Sequence, residues 1–241
     1  ILARVHMKYG TVAPIEKPIS CLVMGVIPLP CDDVPAAFAL LDAYRAAGGN
    51  CIDNSYSYGE RYAKVMRAYY EQHGEDALIR FDKGNHPNRD GRRVNKAALD
   101  HDVLGNLERQ GVSYSDFYVL HRDDPEVPVG DIVEWLNEHL AAGRIRAFGG
   151  SNWHHTRIEQ ANEYAEKHGL QGFSVSSPNL SLAVANEAMW WEALSISDDA
   201  EARAWYSRTG LPVFSWSSGG GGFFANVQSP DIERVYHNEV N

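Results

Sequence analysis

Cysteine is scarce in this chain: Cys21, Cys31 and Cys51 are the only three in 241 residues. An odd number, set in or beside apolar runs, speaks against a disulfide framework, and Cys-rich metal spacing is absent. The thiols read as reduced core or near-core groups of a cytoplasmic protein. Basic residues are outnumbered, 22 Lys and Arg against 32 Asp and Glu, for a net charge of −10. With no Lys/Arg-rich run, broad nucleic-acid binding is not expected, and an anionic ligand would need a local pocket. No apolar stretch approaches the ~18 residues of a membrane helix, so no membrane partner is expected. The opening ILARVHMKYG has neither the charged n-region nor the apolar h-region of a signal peptide. It also lacks an initiator Met, which raises the expectation of a piece of a longer chain. A G-x-G-x-x-G nucleotide fingerprint is missing too, because the first apolar run continues as MGVIPLP.

What the sequence does contain is one pattern repeated. A short apolar run precedes a longer stretch with helical spacing. CLVMGVI (21–27) precedes DDVPAAFALLDAYRAAGG, which has an Asp cap, a Pro in its first turn and a Gly stop. NCIDNS (50–55), ALIRFDKG (77–84), DFYVLHR (116–122), RIRAFGGSN (144–152) and GFSVSSPN (172–179) follow, each with its helical partner, and LPVFSWSS (211–218) is the seventh run. Continuous apolar runs alternating with helices predict parallel strands buried on both faces. A doubly wound sheet and a (β/α)8 barrel both satisfy that pattern. The missing fingerprint disfavours the first, and seven units with a short tail fit a barrel without its final unit. No linker interrupts the chain, so residues 1–241 read as one domain, with 1–18 an appendage that could form a hairpin closing the barrel bottom.

A barrel carries its site where strands end. The run-terminal residues are Gly25, Asp53, Lys83, His121, Ser151 with Asn152, Asn179, and Trp216 to Ser218. Taken singly, Asp53 reads as a cap, His121 as a near-core histidine and Lys83 as a salt-bridged rim residue. Jointly they end three successive strands, with Tyr58 one short loop after Asp53. That set supports a definite chemistry. A lysine ammonium lowers a nearby phenol's pKa from near 10, an aspartate orients the lysine, and a neutral histidine donates to a substrate oxygen. Together they can protonate a carbonyl oxygen as negative charge develops. No side chain supplies two electrons, so a hydride must come from a cofactor.

In CIDNSYSYG, FDKG and YVLHRDDP, residues Asp53, Tyr58, Lys83 and His121 resemble the catalytic tetrad of the aldo-keto reductases, down to the five-residue Asp-to-Tyr interval. GRIRAFGGSNW (143–153), SSPNLSLA (176–183) and LPVFSWSS (211–218) extend the resemblance from about residue 18 to the end. The resemblance implies an NADP(H)- or NAD(H)-dependent carbonyl reductase on a (β/α)8 barrel. It would make Tyr58 the general acid, tuned by Lys83 and Asp53, and have His121 orient the carbonyl. Gly25, Asp53, Ser151, Asn152 and Asn179 would lie against the cofactor. Trp216 would stack on the nicotinamide, and Ser217 and Ser218 would open the pyrophosphate loop. The alternative for Tyr58 is Tyr56; for Trp216 it is core packing. Two departures stand out: the loop reads SSGGGGFF, and the family's eighth unit, the usual carrier of the 2′-phosphate-binding residues, does not follow. A non-catalytic binding or regulatory subunit is therefore the rival reading. Asp123 and Trp190 are candidate substrate contacts, on the expectation of a sugar-like or small polar carbonyl, although Asp123 could equally cap the next helix. His154 and His155 read as a solvated helix start, with no metal expected. A metal-dependent barrel enzyme ranks low, since only Asp53 and His121 offer strand-end ligands. The oligomeric state is not legible.

Overall fold

In the computed structural model, residues 6–241 are described. The element order is β1(Tyr9–Val12), β2(Ile15–Ser20), β3(Met24–Gly25), α1(Val34–Ala46), β4(Cys51–Ser55), α2(Glu60–His73), β5(Ile79–Gly84), α3(Lys96–Gln110), β6(Ser115–Leu120), α4(Val129–Ala141), β7(Ile145–Ser151), α5(His155–His168), β8(Val175–Ser177), α6(Ala200–Thr209) and α7(Pro230–Tyr236). Strands β3 to β8 form a six-stranded sheet in sequence order, and every pair is parallel. Helical crossovers between neighbouring parallel strands curl such a sheet, and the result is a partial (β/α) barrel.

Local chemistry sets the helix limits. The side chains of Asp33, Asn95 and Asp199 accept from Ala36 N, Ala98 N and Ala202 N at 3.0, 2.9 and 2.9 Å, satisfying N–H groups that the first turn leaves unpaired. Gly111, Gly169 and Gly210 end α3, α5 and α6 in the left-handed conformation.

The seventh run is less regular than its predecessors. Residues 211–218 form no strand, only bridges from Val213 to Ser176 and from Trp216 to Asn179. They still extend the sheet in parallel, with Phe214 N donating to Ser176 O at 2.8 Å. The first run, expected over 21–27, yields only Met24–Gly25, and Leu22 and Ile27 are exposed. Each of these two outer runs is paired on one side only, so fewer hydrogen bonds hold it straight. Cys21, expected near the core, is exposed.

Strand parity divides the core. Cys51, Ile79, Phe81, Phe117, Val119, Ala147 and Val175 fill the barrel interior as one cluster. Their neighbours Ile52, Tyr118, Leu120 and Phe148 point outward into clusters with the helices. The β1–β2 hairpin is antiparallel, and its Val12, Ile15 and Ile19 join the interior cluster, covering the end of the barrel where the strands begin. Residues 1–5 of the expected appendage lie outside the described residues. No described helix is long and apolar enough to cross a membrane.

Candidate active site

The interior parity continues upward. Cys51 leads to Asp53; Ile79 and Phe81 lead to Lys83; Phe117 and Val119 lead to His121; Ala147 and Gly149 lead to Ser151. A period of two thus carries each interior row from apolar packing into a polar strand end. These ends open on one cavity of about 580 Å3, lined by Gly25, Asp53, Tyr58, Lys83, His121, Arg122, Ser151, Asn152, Trp190, Trp216, Ser217 and Ser218, and continuing between the first and seventh runs past Val23 and Phe214 to Val12 and Ile19 of the hairpin.

Lys83 is buried, and its Nζ donates to Asp53 Oδ2 at 2.7 Å. Burial works against the ammonium, but Asp53 and the Tyr58 phenol more than compensate, and its pKa lies above the usual lysine value. Tyr58 follows Asp53 through a single 3-10 turn, Tyr56–Tyr58. The sequence reasoning expects Lys83 to lower its pKa. In the folded chain burial dominates and raises it, with Lys83 pulling only part of the way back. The phenol is therefore protonated at neutral pH, the form a general acid needs. Tyr56 is not brought to the cavity: its hydroxyl meets His101 Nε2 at 3.0 Å and accepts from Arg109 Nη2 at 2.8 Å on the face of α3.

The His121 ring stands edge-on to Tyr58, centroids 6.0 Å apart. Burial, with the Lys83 cation behind it, holds its pKa well below the ordinary histidine value, so the imidazole is neutral. Ser55 lies 3.2 Å from His121 Nδ1 and 2.9 Å from Ser57 Oγ, and accepts from Ser57 N at 3.3 Å. In the tautomer in which the Ser55 hydroxyl donates to Nδ1, the His121 proton sits on Nε2. The sequence reasoning missed Ser55; its signal was its place two residues beyond Asp53 on the same strand parity.

Asn152 adopts φ 60° and ties the end of β7 to its neighbours: Nδ2 donates to His121 O at 3.2 Å and Ser151 Oγ at 3.0 Å, and Oδ1 accepts from Leu194 N at 3.0 Å. Trp190 and Trp216 pack with ring centroids 5.2 Å apart and form an aromatic wall. After Ser218 the chain turns through Gly220, Gly221 and Gly222 at φ 61°, 64° and 102°, a left-handed run that residues with a Cβ adopt at a cost.

Two expected contacts are not brought to this cavity. Asp123 is spent on Arg157, whose Nε donates to its Oδ2 at 3.1 Å. The sugar-like substrate expectation loses its acid with it. Asn179 is buried, accepts from Ser195 Oγ at 2.9 Å and donates to Trp216 O at 3.0 Å, facing a second, smaller cavity. Elsewhere, His154 and His155 are not simply a solvated helix start. His155 is buried, and the pair offers donor atoms within 4.8 Å of Asp199, although His154 and Asp199 already cap helices α5 and α6.

The cavity has features that suit a nicotinamide cofactor. Asp53 Oδ1 and Trp216 Nε1 are buried without a hydrogen-bond partner, and a Cβ placed on Gly25 would meet nothing within 4 Å. The chain is 28% identical over 192 residues to a probable voltage-gated potassium channel subunit beta of Oryza sativa subsp. japonica, a match covering 77% of this chain and 55% of that protein. It is 29% identical over 154 residues to norsolorinic acid reductase B of Aspergillus parasiticus, 58% of this chain and 39% of that one. It is 30% identical over 139 residues to an aldo-keto reductase of Bacillus subtilis, 54% and 42%. The chain thus spans about half or less of the length of these relatives. The profile of the Aldo/keto reductase family matches residues 31–241, and the chain belongs to that family.

Proposed function

We propose that this chain reduces an aldehyde or ketone to the alcohol with a hydride from NADPH or NADH, and that Tyr58 supplies the proton. One observation carries the reading: the Asp53–Lys83 pair, the Tyr58 phenol and a neutral His121 converge on one cavity. A bound nicotinamide supplies the hydride that no side chain here can. Ser151, Asn152 and Trp216, which line the cavity, would hold its carboxamide and ring face, with Ser217, Ser218 and the glycine turn beyond. His121 Nε2–H and the Tyr58 hydroxyl donate to the carbonyl oxygen, and the proton passes from Tyr58 as negative charge grows there. Lys83, held charged by Asp53, steadies the phenolate that remains. The three unpaired cysteines are in keeping with a reducing, cytoplasmic setting.

Tyr58→Phe tests the assignment. It should lower turnover by about 10²- to 10⁴-fold, the span of a general acid, while tryptophan quenching still reports NADPH binding. Wild-type turnover in the variant would sink the reading. The similarity to the rice channel subunit favours a second reading, a binding or regulatory subunit. Such a chain would bind NADPH yet reduce no carbonyl, with Tyr58→Phe making no difference.

A further inference from the structure

Arg122 follows His121 at the mouth of β6. It is 6% exposed and lines the same cavity as Tyr58, Lys83 and Trp190. Its Nε donates to Trp191 O at 3.2 Å and its Nη1 to His121 O at 2.8 Å. Both acceptors are neutral carbonyls. Among the described residues, no carboxylate forms an ion pair with it. The acids around it pair with other cations: Glu192 Oε1 and Asp124 with Arg92, Asp123 with Arg157, while Glu192 Oε2 is buried without a hydrogen-bond partner. Burial pulls the guanidinium below its ordinary pKa, only partly offset by the Glu192 carboxylate. The neighbouring cation Lys83 is different, being matched by Asp53 at 2.7 Å.

A buried cation without an ion-paired counterion is costly, and Glu192 offsets that cost only in part. A ligand carboxylate would. The guanidinium fork matches the two oxygens of a carboxylate, and a charge-assisted pair formed out of water is stronger than one at the surface. Trp190 and Trp216 line the same cavity and offer an aromatic surface to an apolar body.

We propose that Arg122 selects carbonyl substrates that carry a carboxylate, holding that group while the carbonyl oxygen lies against Tyr58 and His121. The proposal rests on the reading of this cavity as a carbonyl-reducing site.

The test compares 4-carboxybenzaldehyde with benzaldehyde, with NADPH as reductant, in the full chain and in Arg122→Met and Arg122→Lys. The readout is the ratio of kcat/KM for the two aldehydes within each protein, which a general loss of folding does not change. The wild type should favour the carboxylated aldehyde. In Arg122→Met that ratio should fall by about 10- to 100-fold, the range of a hydrogen bond to a charged group, with Arg122→Lys between the two. A wild-type ratio near one, or a ratio unchanged in Arg122→Met, overturns the proposal. If the wild type reduces neither aldehyde, the carbonyl-reducing reading fails separately. Benzoate titration followed by tryptophan fluorescence then decides the anion site: binding lost in Arg122→Met upholds it, and no binding to the wild type overturns it.

Discussion

Replacing Asp53 by Asn removes one half of the buried ion pair and leaves the Lys83 ammonium behind. The Lys83 side chain is 3% exposed, Asp53 is 21% exposed, and they meet at 2.7 Å. Truncating one partner of a buried pair costs about 3–5 kcal/mol, because the surviving charge is uncompensated. Asp53 borders an open cavity, which places the cost at the lower end, about 3 kcal/mol. At about 2–4 °C per kcal/mol for a chain of this size, Tm should fall by about 6–12 °C at pH 7. The loss also has a pH signature. Without Asp53, burial drives the Lys83 pKa below its unfolded value near 10.4, so the variant loses stability as pH falls below that value and recovers it as pH rises. Adding Lys83→Met to Asp53→Asn removes the stranded charge and should restore most of the lost stability. The assay is thermal unfolding of the four proteins as a double-mutant cycle. A double variant that loses the sum of the two single losses would refute coupling between the pair, and with it the account of how Lys83 stays charged.

Two further outcomes follow from burial and from backbone approach. His121 and His139 are held below the ordinary histidine pKa, chiefly by burial, although Asp100 lies 2.9 Å from His139 Nε2. The unfolded chain therefore takes up protons below about pH 6.5 that the native chain refuses, and stability falls with pH, by up to about 1.4 kcal/mol per pH unit for each group. Urea midpoints that stay level or rise between pH 7.5 and 5.5 would contradict this. A Cβ on Gly149 would lie 2.1 Å from Val175 O, a backbone atom fixed by the β7–β8 register, whereas a Cβ on Gly25 meets nothing within 4 Å. Gly149→Ala should cost about 3 kcal/mol or more as overpacking, read as a drop in Tm, while Gly25→Ala should leave Tm within about 2 °C. Equal Tm values for the two variants would show that β8 yields.

Much of the polar row at the cavity was legible because it obeys a short-range rule. Alternation along IRFDKG and FYVLH fixes which side chains share the interior face, and the five-residue step from Asp53 to Tyr58 needs only one turn. Helix limits were legible for the same local reason, as Asn95 and Gly111 bracket α3. The failures depend on distant partners. Asp123 looks free in HRDDP until Arg157, 34 residues on, folds back to it. Asn179 ends a run as the others do, but Ser195 and the Trp216 carbonyl claim its amide. The place of Arg122 at the cavity is not legible in the sequence for a subtler reason. Strict alternation would turn it away from His121, but β6 ends at Leu120, so two successive residues can face one cavity.

The same contrast divides the site itself. Asp53, Lys83 and Ser151 sit on strands paired on both sides, and His121 follows another such strand, so the groups proposed for proton transfer are fixed by continuous ladders. Trp216, Ser217 and the glycine turn hang from a run bridged on one side only. Glycines in left-handed conformations lose more freedom on ordering than other residues, so ordering this segment around a ligand would subtract from binding free energy. That cost does not fall on the geometry of Tyr58, which belongs to the other half of the sheet. Affinity for a ligand at the loop and precision of the proposed proton delivery are therefore set by different parts of the chain, and changes in the SSGGGGFF loop can tune the first with little effect on the second.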